Sequence, residues 1–210
     1  NHVGHEADVA VFSYQAVKNL PTSDSGMICF KDKSCDELAR ELSWLGINKD
    51  TYSRFNKGSY KWKYDVPNIG FKYHGNSMTA AIGIVQLKYL NEDNERRREI
   101  AKYYTKHLRD LNGIDIVSSS EYTLKNSRHL FQIIVDRDKR DNMIESLYSN
   151  NIYPGVHYID NTNYKPYKKY KGSCNNASKL SNCLITLPIH CNLSVNDVNK
   201  VIDSIKEFYQ

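Results

Sequence analysis

Between positions 77 and 111 apolar residues return every three or four places: Met78, Ala81, Ile82, Val85, Leu87 and Leu90, then Ile100, Tyr103, Tyr104 and Leu108, with charges between them. That period predicts an amphipathic helix, or two that meet at a bend near 91–94, ended by Asn112-Gly113. Leu38, Leu42 and Leu45 predict a shorter helix over 35–45, capped by Asp32 or Ser34, stopped by Gly46 and packed into a core. A third helix is predicted over 195–209. Ser194 opens it, and Asp197 completes a capping box with aspartate where glutamate or glutamine is usual. Further helices are expected over 140–149 and 173–183.

The apolar, β-branched run that begins at Val9 reads as a buried strand. It empties into a turn that presents Ser13 and Lys18, and a second short strand follows from Gly26. Strands are also expected at 114–117, 129–136 and 153–159, and their mixture with helices predicts a small α+β domain. From 48 to 75 periodicity vanishes and aromatics dominate: Tyr52, Phe55, Tyr60, Trp62, Tyr64, Phe71 and Tyr73. A long irregular loop results, in which a functional role and the packing of one layer on another would use the same residues.

Composition narrows the class. The chain has 210 residues, 40% hydrophobic and 25% charged, as in a soluble globular protein of one ordinary domain or two small ones. No apolar run is long enough to span a membrane and no leader opens the chain, so the cytoplasm is the expected compartment. The cysteines, Cys29, Cys35, Cys174, Cys183 and Cys191, are odd in number and irregularly spaced, which fits reduced thiols rather than disulfides or zinc. His2, His5 and Glu6 lack the spacing of a helical metal motif, and no metal is expected. A net charge of +5 favours an anionic partner such as a phosphorylated or nucleotide-linked substrate. Nucleic acid is not expected, because the basic residues are scattered among acids except in Arg96-Arg97-Arg98 and the 165–171 stretch.

Lys18 carries the candidate chemistry. A lysine desolvated at the end of a sheet gives up its proton more easily, becomes nucleophilic and condenses with a carbonyl to form a Schiff base. That is what a pyridoxal 5'-phosphate (PLP) enzyme needs. Taken alone, a lysine in a turn after a strand is more often a solvated surface charge.

The segment Phe12-Ser13-Tyr14-Gln15-Ala16-Val17-Lys18-Asn19-Leu20, with Gly26-Met27-Ile28 behind it, resembles the lysine motif of the DegT/DnrJ/EryC1/StrS family of PLP-dependent sugar aminotransferases. Counterparts continue in the same order through Gly70-Phe71-Lys72-Tyr73, Ala80-Ala81-Ile82-Gly83, Gln86-Leu87, Arg96 to Ala101, Arg128-His129-Leu130-Phe131, Gly155-Val156-His157-Tyr158 and Leu187-Pro188-Ile189. The resemblance therefore spans almost the whole chain. It implies an α/β fold, the C-terminal part of a fold-type I PLP-dependent transferase: 1–95 as a remnant of the large PLP-binding domain and 96–210 as the small α+β domain.

The same resemblance implies roles. Lys18 would join the cofactor and shuttle a proton, Ser13 would bind the cofactor phosphate, and His157 and Tyr158 would face the sugar. His74 stands where relatives offer asparagine or arginine across a homodimer to the neighbour's phosphate. Gln15 stands where relatives often carry histidine. His157 has a second reading, as a buried, hydrogen-bonded core residue. Some relatives replace the lysine with histidine and catalyse dehydration, so Lys18 favours transamination. The implied reaction moves an amino group from glutamate to a nucleotide-linked keto-deoxysugar for surface-glycan or deoxyaminosugar synthesis. Family members carry much of their chain ahead of this lysine. The aspartate on the pyridine nitrogen, the aromatic on the ring and the amides around the phosphate are therefore expected ahead of Asn1, and the isolated chain is expected to be inactive. The alternative is a catalytically inactive, truncated aminotransferase serving as a binding or scaffold module.

Overall fold

The computed structural model describes residues 4–48, 64–117 and 126–210. His2 and the aromatics Tyr52, Phe55, Tyr60 and Trp62 lie outside them. The chain divides into two compact units, Asn1–Leu90 and Asn91–Gln210.

In the first unit β1 (Val9–Ser13) and β2 (Gly26–Phe30) form a two-stranded antiparallel ribbon, with Val9 opposite Phe30 and Ser13 opposite Gly26. The expectation of a buried strand fails here. Val11 is 75% exposed, because the ribbon has no third strand among the described residues and only Ala10, Phe12 and Phe30 of its two strands are half-buried. Next comes α1 (Lys33–Ser43), capped by Asp32, whose carboxylate accepts from the Cys35 backbone N–H at 3.0 Å. Its end is sharp. Leu45 and Gly46 take φ of +62° and +73°, and the Gly46 N–H returns to the Glu41 carbonyl. None of its residues is buried, so its leucines do not form the expected core. Its last turn instead anchors the segment that follows: the Phe71, Tyr73 and His74 N–H groups donate to the Leu42 and Ser43 carbonyls.

The apolar period over 77–111 becomes one continuous helix, α2 (Ser77–Leu108), and the division between the units falls within it. Its two halves differ. In the first, Met78, Ile82, Val85 and Leu87 are exposed, whereas in the second Ile100, Ala101, Tyr104 and Leu108 are buried.

The second unit holds the hydrophobic core. Strands β3 (Ile114–Ile116), β4 (Phe131–Val135) and β5 (Leu184–Leu187) form an antiparallel sheet in that order. Phe131, Ile133 and Val135 of β4 alternate inward, each side chain contributing about 1.5–3 kcal/mol by burial. They meet Met143 and Leu147 of α3 (Arg137–Ser149) and Val198, Val201, Ile202 and Ile205 of α5 (Val195–Phe208) in one cluster. The Ser194–Asp197 capping box forms as its sequence indicates. A short helix α4 (Asn175–Ser181) is the remnant of the one expected over 173–183. The chain over 153–159 is not a strand: only Gly155 pairs, in an isolated bridge to Thr186 on the free edge of β5. Pro154 has no N–H for a ladder, and past Tyr158 the chain turns into 3-10 helices at Asn161–Asn163 and Lys165–Tyr170.

The second half of α2 is fastened to the segment after β5. Tyr104 Oη donates to the Pro188 carbonyl at 3.0 Å, Arg97 to that of Ile189 at 2.8 Å and Arg96 to that of Leu193 at 2.8 Å. Arg98 is tied to Glu95. This basic cluster is thus spent on structure. Burial pushes the Tyr104 phenol well above its ordinary pKa, so it stays a donor at any physiological pH. Tyr104→Phe should lower unfolding stability by about 1–2 kcal/mol, because the Pro188 carbonyl loses its donor in the core. Tyr103→Phe, at a half-buried bond to Asn199, should cost less; comparing urea midpoints of the two variants checks the order.

Candidate functional site

The predicted cofactor residues lie on and around the turn that closes the β1–β2 ribbon. Tyr14 extends the ladder by donating its N–H to the Ser25 carbonyl, and its own carbonyl accepts from the Thr22 N–H at 2.8 Å. Thr22 is 3% exposed, and its hydroxyl bonds to that of Ser25. The loop from 15 to 21 therefore closes on a buried side chain rather than hanging free. Within it the Lys18 N–H donates to the Gln15 carbonyl at 2.8 Å, and Gln15 Oε1 accepts from the Val17 N–H at 3.2 Å. Gln15, foreign to the family pattern at its position, thus shapes the turn that carries the lysine. Two glycines admit close approaches: a Cβ on Gly26 would sit 2.8 Å from the Phe12 carbonyl oxygen, and one on Gly83 of α2 would meet Thr22 at 3.1 Å.

Lys18 is half-buried, and among the described residues no carboxylate pairs with its amine. Ser13 is exposed and opposite a glycine, and among the described residues its hydroxyl accepts only a 3.5 Å contact from the Gln15 N–H, which leaves its hydrogen available there as a donor. An unneutralised amine five residues from an uncovered hydroxyl donor suits a group that carries both a carbonyl and a phosphate. Burial pushes the neighbouring Tyr14 phenol up, and the Cys29 thiol across the ribbon adds to it.

His74 stands elsewhere in this unit. It is exposed, with its ring edge-on to Trp44 at 4.1 Å, and it makes no recorded contact with Ser13 or Lys18. Lys72 Nζ also lies over the Trp44 ring, 4.2 Å from its centroid. Neither Trp44 nor Gln15 was a residue that periodicity could single out.

His157 and Tyr158 belong to the second unit, where they adjoin in a T-shaped ring pair with centroids 4.8 Å apart. His157 is half-buried and Tyr158 is 67% exposed. The His157 backbone carbonyl accepts from Gln132 Nε2 at 2.6 Å, and its Nδ1 lies 2.9 Å from Thr186 Oγ1. The histidine is thus hydrogen-bonded, as its core reading required, and yet it is not fully covered. Beyond Tyr158, Asp160 accepts from the Thr162 N–H at 2.9 Å and from the Ser178 hydroxyl. An open concavity of about 410 Å³ in this unit, lined by Asn150, Lys200, Asp203 and Glu207 among others, includes neither His157 nor Tyr158.

The Ser178 hydroxyl first, then the Thr162 N–H and side chain, hold the Asp160 carboxyl below its ordinary pKa. A depressed carboxylate stabilises the fold above its unfolded pKa and loses that contribution as the pH falls through the folded one. The urea midpoint of Asp160→Asn should therefore fall below that of the parent at neutral pH. The gap should close as the pH drops below about 4, and a gap of constant size from pH 7 to 3 would contradict the assignment.

Comparison with known proteins gives a consistent picture. The model of the DegT/DnrJ/EryC1/StrS aminotransferase family matches residues 1–206. The spore coat polysaccharide biosynthesis protein SpsC of Bacillus subtilis is 30% identical over 98% of this chain and 54% of that protein. Among solved structures, the aminotransferase TlmJ of Streptoalloteichus hindustanus is 31% identical with a TM-score of 0.87, covering 98% of this chain and 53% of its own. Spr1654 of Streptococcus pneumoniae, assigned as a sugar aminotransferase and solved in its PMP form, is 28% identical with a TM-score of 0.86, over 98% and 54%. The chain spans about half the length of the relatives it matches.

Proposed function

As the chain belongs to the DegT/DnrJ/EryC1/StrS aminotransferase family, we propose that it carries the lysine-bearing and sugar-facing parts of a PLP-dependent aminotransferase acting on a nucleotide-linked keto-deoxysugar. In this reading residues 1–95 belong to the large cofactor domain and 96–210 form the small domain. Glutamate gives up its amino group and leaves as 2-oxoglutarate; the sugar ketone oxygen is replaced by that amino group. The product serves surface-glycan or deoxyaminosugar synthesis, in a homodimer and in the cytoplasm. The observation that carries the reading is the family match over residues that include the lysine motif, together with the half-buried Lys18, without a carboxylate partner among the described residues, on a loop closed by Thr22.

Each role follows from the chemistry of the residue. Lys18 Nζ would hold the cofactor by its carbonyl carbon and, when free of it, would take and return the proton at the substrate carbon. Bound PLP supplies the electron sink for that carbon. Ser13 donates its hydroxyl hydrogen to the phosphate, a short neutral donor that does not block entry. His74 donates to the phosphate of the neighbouring subunit. His157 and Tyr158 offer hydrogen bonds to the sugar from a segment that Gln132 and Thr186 hold on the sheet.

A second reading has an observation in its favour. In the first unit Met78, Ile82, Ile84, Val85 and Leu87 of α2 and Val9, Val11, Met27 and Ile28 of the ribbon are all exposed, which suits a catalytically inactive module that binds another polypeptide.

Borohydride reduction of the purified chain with PLP, followed by peptide mapping, separates the two. The aminotransferase reading expects the cofactor fixed on Lys18 in preference to the other lysines and absent from Lys18→Ala. Labelling spread evenly over the lysines, and equal in Lys18→Ala, would leave the binding module. Ser13→Ala should raise the Kd for PLP about tenfold, the worth of one hydrogen bond to a charged group, as measured by absorbance titration.

A further inference from the structure

His157 is held more closely than contact with a substrate alone demands. In the β4–β5 register Gln132 stands opposite Thr186, so their side chains leave the sheet on the same face. Both reach His157, the first at its backbone carbonyl at 2.6 Å and the second at ring Nδ1 at 2.9 Å. Gly155 closes the arrangement. Its N–H and carbonyl exchange bonds with Thr186 at 2.9 and 2.7 Å, and a Cβ there would lie 2.7 Å from His157 Cε1. Any side chain at 155 would thus strike the imidazole, which lies against bare backbone.

The Thr186 hydroxyl decides which ring nitrogen carries the proton. Thr186 is 5% exposed, and His157 Nδ1 is the partner recorded for its hydroxyl among the described residues. If Nδ1 were the donor, the hydroxyl hydrogen would be left buried without an acceptor, at the cost of a lost hydrogen bond. If the hydroxyl donates to Nδ1, both atoms are satisfied and the ring proton resides on Nε2. We propose that Thr186 is a positioning residue that fixes His157 as its Nε2–H tautomer, so that the ring offers the sugar substrate a hydrogen-bond donor, matched to a hydroxyl or carbonyl oxygen. The proposal rests on the reading of His157 as sugar-facing only for what receives that donor.

The first test needs no cofactor or substrate. In the full chain labelled with 15N-histidine, long-range 1H–15N correlation above the imidazole pKa should show His157 Nδ1 as the unprotonated nitrogen and Nε2 as the protonated one. Thr186→Val should abolish that preference and Thr186→Ser should restore it. A wild-type His157 protonated at Nδ1, or an even mixture of tautomers, would overturn the proposal, and so would a Thr186→Val spectrum identical to the parent's. Should Thr186→Val fail to fold, the wild-type spectrum and Gly155→Ala, which displaces the ring without removing the hydroxyl, decide the matter in its place. In the active enzyme Thr186→Val should raise KM for the sugar nucleotide about two- to tenfold with little change in kcat, and Thr186→Ser should recover it. If His157→Ala leaves that KM unchanged while the tautomer is as stated, the sugar-facing reading fails and the role of Thr186 in setting the ring stands.

Discussion

Backbone groups that leave a sheet must still find partners, and that requirement organises both units. After β5 the carbonyls of Pro188, Ile189 and Leu193 have no strand to pair with, and side chains of α2 reach them instead: Tyr104, Arg97 and Arg96. The partners are more than eighty residues apart in sequence, and Tyr104, Pro188 and Ile189 adjoin or enter the core. Without its donor the Ile189 carbonyl would be buried unpaired, which costs about 1–3 kcal/mol, and the part-buried Pro188 and Leu193 carbonyls would lose less. The first unit obeys the same rule in miniature: the last turn of α1 supplies the carbonyls that receive Phe71, Tyr73 and His74, and Thr22 receives the loop that carries Lys18. His74 and His157 therefore sit on irregular chain made definite by bonds to a regular element nearby.

The sequence showed the regular elements better than their surroundings. Ser194 and Asp197 announced α5, whose Val198, Val201, Ile202 and Ile205 are buried at helical spacing, and β4 alternates as its side chains suggest. The same spacing gave the helix over the first half of α2, whose apolar residues are exposed, and misled over α1, where no residue is buried. Periodicity reports that one face is apolar; it does not report what covers that face. The apolar run at Val9 was misread for the same reason, since a two-stranded ribbon offers its strands no packed layer of their own.

At the candidate site the resemblance pointed to Lys18, Ser13, His74, His157 and Tyr158, but nothing local pointed to what holds them. Thr186 is 29 residues from His157 and Gln132 is 25, and the need for Gly155 arises only from an imidazole laid against its backbone. A partner set by the register of β4 on β5 cannot be read before the sheet is known. The segment 153–159 illustrates the cost: its apolar and aromatic residues read as a strand, although one bridge at Gly155 is all the pairing it makes. Irregular backbone there is what turns His157 back over Gly155.

The two units differ in how firmly they can hold chemistry. Every buried hydrophobic residue among those described lies between Ile100 and Ile205, so His157 is carried by a segment bonded to a sheet with a packed core. Lys18 is carried by a ribbon in a unit whose buried described residues are Thr22 and Gly46 alone. Local stability follows burial, so exchange of backbone hydrogens should be easier around the lysine than around the histidine. On the proposed reading, a lysine that joins a cofactor would gain from a loop that yields, whereas a histidine that donates to a substrate oxygen would gain from one that does not. The distribution of buried residues suits that proposed division: the amine on a short closed loop with little buried around it, and the imidazole on a segment bonded to the sheet.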